Sequence, residues 1–120
     1  MIISHSFTKI EKELLPKFRK QMSTTESTED VKKIFQYCMK DLFSLVFSNQ
    51  VNIEPEDIEL APHNEPPYEI AERVLADQAV ASIWQSSDLP DIITRFAETA
   101  VHHCLHLTKI FEKTEAKIRM

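Results

Sequence analysis

The chain predicts an all-α fold, an antiparallel bundle of about four main helices, and three observations carry that prediction. There is no glycine in 120 residues, where average usage would supply roughly eight. Long stretches repeat apolar residues at helical spacing. The composition, 42% hydrophobic and 28% charged, is that of a globular domain with a real core. The missing glycine also excludes functions. Glycine supplies the positive-φ positions of phosphate loops and tight hairpins, so a Walker A loop, a dinucleotide fingerprint and a glycine-flanked nucleophile elbow are absent. One domain, residues 1–120, follows from the length.

The first periodic segment runs from about Thr8 to Met22, with Phe7, Ile10, Leu14, Phe18 and Met22 on one side. Thr8 and Glu11 have the spacing of a capping box. Pro16 cannot donate to the Lys12 carbonyl, which predicts a kink near Leu15 or two short helices. A polar run, Ser23 to Asp30, links to the next helix, with Ser27 or Thr28 as N-cap.

The second helix, about Glu29 to Ser48, carries the stripe Val31, Ile34, Phe35, Cys38, Leu42, Leu45 and Val46. Met39, Phe43 and Phe47 widen it until the C-terminal half is apolar nearly all round, which predicts a central position. A long connection, kinked where it enters, spans 49–67 between helices two and three. Ile58-Glu59-Leu60 is read as a lone extended piece, or Pro55 as the opening of one helical turn.

The third helix is expected to begin near Pro66 or Pro67. Its apolar face changes sides partway, so it is either buried all round or broken where Asp77 caps a new segment. The last helix, about Leu89 to Lys117, keeps the heptad-like seam Ile93, Ala97, Ala100, Cys104, Leu107, Phe111 and Ile118. At 1.5 Å per residue it spans about 45 Å. It outlasts its neighbours, so its last turns are expected to overhang and bury Leu107, Phe111 and Ile118 against a partner.

Net charge is −5, unevenly spread. Residues 51–91 hold ten acids against one base, Arg73, while both ends are mildly basic. The acidic middle repels nucleic acid and offers a second, electrostatic contact around 54–72. A helix-turn-helix at 67–98 fails for the same reason. The amino terminus has no signal-peptide pattern and no stretch reaches membrane-spanning length, so a cytoplasmic location and no membrane are expected. Cys38 and Cys104 read as small buried hydrophobes, with no C-x-x-C motif.

Two constellations bear on chemistry. Glu98, His102 and His106 lie one turn apart on the last helix, a spacing at which imidazoles share a metal. His102 and His106 project opposite Cys104, on the side of Arg95, Lys109 and Lys113, which ranks a solvated or interface face above metal binding. Glu69-x-x-Glu72 and Asp88-x-x-Asp91 are spaced acidic pairs of the kind that hold magnesium. This spacing resembles that of the all-α nucleotide pyrophosphatases, which carry Glu-x-x-Glu and then Glu-x-x-Asp. The resemblance spans those four positions; Asp88 stands where that family has Glu, and Pro90 interrupts the second pair. It implies a metal-dependent hydrolase of nucleotide phosphates, while helix capping accounts for the same four acids. The leading expectation is a protein–protein interaction or accessory protein, homo-oligomeric through its last helix, without a cofactor. A metal-binding bundle or metal-dependent hydrolase is the alternative.

Overall fold

Helix α1, Thr8–Ser23, buries Phe18 and Met22 and leans Ile10, Leu14 and Leu15 on the core. It runs as one helix through Pro16, where the sequence predicts a kink or two helices. Pro16 and Lys12 both stand exposed, so water can serve the carbonyl that the proline leaves without a donor. The Thr8–Glu11 capping box does not form. Phe7 is the N-cap and its side chain caps nothing, while Glu11 is buried and turned toward Arg95. Asp88 serves that helix end instead, accepting from the Phe7 amide at 2.8 Å and the Ser6 hydroxyl at 2.9 Å. The computed structural model describes residues 6–51 and 53–118, and from 108 onward it describes helical backbone alone.

Helix α2, Thr28–Val46, starts at Ser27, whose hydroxyl accepts from the Asp30 amide. Val31, Phe35, Met39, Leu42 and Phe43 are fully buried, and α2 packs on α1, on the last helix and on the segment that follows it. The central placement comes from its two apolar flanks. Its end shows how a chain without glycine closes a helix. Ser48 and Asn49 take φ of 51° and 64°, the left-handed region that favours glycine. The Asn49 amide then reaches back to the Ser44 carbonyl at 2.9 Å, the long bond of a Schellman closure.

The connection departs most from expectation. A 3₁₀ turn, Pro55–Asp57, leads into strand β1, Ile58–Leu60, which pairs antiparallel with strand β2, Tyr68–Ile70. Ile58 faces Ile70, Glu59 faces Glu69 and Leu60 faces Tyr68. The extended piece has a partner, and the all-α reading is corrected to a mostly helical fold with one hairpin. The partner comes from residues read as the start of the third helix. Burial decides it: Ile58, Leu60 and Tyr68 turn inward while Glu59 and Glu69 stay out, a two-residue period that no helix satisfies. Ala61 and Ala71 amides extend the ladder to the carbonyls of Pro67 and Asp57.

What remains of the third helix is two pieces, α3, Glu72–Leu75, and α4, Gln78–Ser86. The break falls at Asp77, whose carboxylate accepts from the amides of Ala79 and Val80. Splitting the segment lets Val74 and Val80 both reach the core.

Helix α5, Leu89–Ile118, begins as Ser87 accepts from the Leu89 amide. Leu89, Ile92, Ile93, Phe96, Ala97 and Ala100 are fully buried. Contacts with α1 advance along both helices together, from Asp88–Phe7 to Arg95–Glu11 and Phe96–Phe18. The two phenyl rings meet edge-on at 5.0 Å. Because both helices start at the same level, the 30-residue α5 outruns the 16-residue α1 by about 20 Å. The molecule is accordingly elongated, 58 × 27 × 27 Å. Among the described residues no helix is long and apolar enough to cross a membrane.

Candidate interaction surfaces

The seam of α5 divides at Leu107. Ala97, Ala100 and Cys104 are buried in the core that α5 shares with α1 and α2, and Leu107 is half-buried against the same core. The seam continues at Phe111 and Ile118, whose side chains lie outside the described residues. Off the seam, Leu105 is 51% exposed. Leu107 is therefore shared between the core and whatever surface follows it.

Glu98, His102 and His106 are all exposed on α5. Among the described residues no three His, Cys, Asp or Glu side chains gather as a metal site requires. His103 sits at the edge of the buried face, its ring 6.2 Å from that of His106, and among the described residues its buried Nε2 has no hydrogen-bond partner.

The acidic pairs are dispersed. Glu69 lies on β2 and accepts from the Asn64 amide group, whereas Glu72 opens α3, so they do not share a helix face. Asp88 is occupied by the α1 terminus, and Asp91 stands exposed in the first turn of α5. The magnesium-binding geometry read from the spacing requires both pairs on helices, and the hairpin removes the first.

The hairpin creates two concavities. One, of about 390 Å³, lies between β1 and the start of α2, lined by Lys32, Lys33 and Gln36 together with Glu29, Asp30 and Glu59. Its charges are mixed, and Gln36 is committed to the Ile58 carbonyl. The other, of about 550 Å³, lies between the hairpin loop and α5; Pro62, Pro66 and Pro67 form its wall, and Glu65 and Glu98 add charge. Asn64 and Thr94 complete it. Tyr68 is buried near this groove. Burial pushes its phenol above the ordinary value, a hydrogen bond with Thr94 pulls it back, and Asp91 adds to the rise.

Two ion pairs hold these surfaces in place, and neither is legible in local sequence. Arg95 grips Glu11 with two nitrogens, and this bond is the main reason its guanidinium holds its proton more tightly than usual. Arg73 grips Asp57 in the same two-point way, and Asp57 also accepts from the Glu54 amide. The 3₁₀ turn, the hairpin base and α3 thus close on one carboxylate. The hairpin did leave a signal: two short alternating runs flank the turn-rich Ala61 to Pro67.

The cysteines behave as core. Both are thiols and both are buried. Cys38 is pushed up to about 12, chiefly by burial and further by Asp41, with Lys17 opposing. Burial raises Cys104 as well, against the pull of Lys32. Neither is poised as a nucleophile. No family model, curated protein or solved structure matches the chain.

Proposed function

We propose that this chain is a protein-interaction domain that self-associates through the distal half of α5. The observation that carries the reading is the continuity of one seam. Its upper residues, Ala97, Ala100 and Cys104, are buried by neighbouring helices, and the same spacing continues through Phe111 and Ile118 where α1 has already ended. An apolar helix face that outruns its own bundle is covered in aqueous solution by another protein surface, most economically an identical one. In this reading α2 runs antiparallel to α1 and α5, which leaves the far end of α5 standing clear.

The test is solution mass by light scattering over a concentration series of the full chain. The reading expects a dimer or larger assembly that Phe111→Asp reduces to monomer without loss of helix by circular dichroism. A wild-type chain that stays monomeric throughout would overturn it. Leu107→Asp is the poorer probe, because Leu107 also packs on the chain's own core.

A further inference from the structure

Charge is sorted onto two faces of this fold, and the faces complement each other. On α1 the cations Lys9, Lys12, Lys17, Arg19 and Lys20 are all exposed. At 100° per residue they cover the arc opposite Phe18 and Met22. Glu13 is the one acid among them, since Glu11 is buried toward Arg95. Among the described residues the only ion pairs are Arg73–Asp57 and Arg95–Glu11, and no cation of this face takes part in either.

The acidic counterpart is the groove between the hairpin loop and α5. Glu65 and Glu98 line it, and Asp91 lies two turns before Glu98 on the same helix. On the adjoining hairpin, Glu59 and Glu69 stand directly opposite each other and both are exposed. Like charges in that register destabilise a strand pair; the Asn64 amide group satisfies Glu69, and Glu59 lines the other concavity with Lys32 and Lys33. Arg73 and Arg95 are each held in a two-point pair, with Asp57 and with Glu11, and Arg95 also feels the charge of Asp91. Three prolines give the groove a stiff apolar wall, a surface on which the methylene stem of a lysine packs while its ammonium reaches a carboxylate.

We propose that a second copy of this chain docks the basic face of its α1 into the acidic groove between the hairpin loop and α5. This extends the self-association reading to a second, separate surface. Two copies each carrying −5 repel at long range. At physiological ionic strength that repulsion is screened beyond about 8 Å, so the facing charges decide. The hairpin and α1 each pack on α2 and α5, which presents the two faces as different surfaces of one molecule. The contact joins unlike faces, so two copies can make it reciprocally as a dimer, or successive copies can add to a ring or chain.

Sedimentation velocity of the full chain over a concentration series, at low and at high salt, tests this. Association is expected to grow with concentration at low salt and to weaken at high salt. Glu65→Lys with Glu98→Lys, or Lys12→Glu with Lys20→Glu, should each weaken it by about tenfold or more. These positions are exposed, and circular dichroism checks that each variant folds. Mixing the two variants should restore association, because each supplies the charge the other has lost. Indifference to salt, or to both reversals, would overturn the proposal. A lysine-rich peptide that binds the groove while the chain alone stays monomeric would also overturn it, assigning the groove to a different partner. Phe111→Asp separates this proposal from the α5 reading. Salt-sensitive association that survives it supports the groove contact; association lost there and untouched by charge reversal leaves the α5 seam alone.

Discussion

Arg95 reaches Glu11 across 84 positions of sequence, Nε donating to Oε2 at 2.6 Å and Nη2 to Oε1 at 2.9 Å. The Glu11 side chain is 12% exposed and that of Arg95 51%. The carboxylate is therefore the buried member, and the arginine supplies its two hydrogen-bond donors. Arg95→Met is expected to cost about 1–3 kcal/mol in urea unfolding, part of it the unmet Glu11 charge. Adding Glu11→Gln to that variant should recover some of the loss, and a double variant no better than the single would refute the coupling.

Asp57 gathers the Glu54 amide and the Arg73 guanidinium onto one buried carboxylate. Asp57→Asn keeps the shape and removes the charge, at an expected cost of about 1–2 kcal/mol. Hydrogen exchange should localise the damage: the Glu54 and Ala71 amides lose protection before those of α2. Uniform loss across the fold would contradict a local clasp.

Burial raises the Cys38 thiol from its ordinary 9.0 to about 12. The unfolded chain therefore releases this proton first as pH climbs. The thiol's contribution to stability is complete below about pH 9 and is lost toward pH 12. The wild-type chain should lose stability faster over that window than Cys38→Ala, in matched chemical denaturation series. Parallel curves would refute the assignment. A thiol reagent at neutral pH should react with Cys38 only after unfolding.

Ser48 closes α2 at φ 51°, a conformation that costs a residue bearing Cβ about 1 kcal/mol. Ser48→Gly should stabilise the fold by about 0.5–1 kcal/mol. Asn49→Gly should gain less, because asparagine tolerates this region better. A loss of stability on Ser48→Gly would show that the hydroxyl contributes more than the backbone gains.

Much of the helical frame was readable in order along the chain. The stripe Val31, Phe35, Cys38 and Leu42 located α2 and its central burial, and Ser27 marked its start. Ile93, Ala97, Ala100 and Cys104 located the buried face of α5. Pro16 misled, since a local rule predicts a break where tertiary burial of Phe18 and Met22 holds one helix. Of the candidate sites, the exposed row Glu98, His102 and His106 was placed correctly on the polar side of α5. The Glu69–Glu72 pair was not, because half of it lies on a strand.

The sequence by itself determined the periodic helices, the absence of glycine-built loops and the division of charge between the ends and the middle. These are properties of neighbouring residues, set by backbone sterics and by the 3.6-residue repeat. Only the tertiary structure decided that Ile58–Leu60 finds Tyr68–Ile70, that Asp77 divides the third helix, and that Glu11 and Asp57 turn inward to arginines. A three-residue strand or a single carboxylate is too short a signal to choose its own conformation. Its partner lies far along the chain, and only once the helices have packed is that partner within reach.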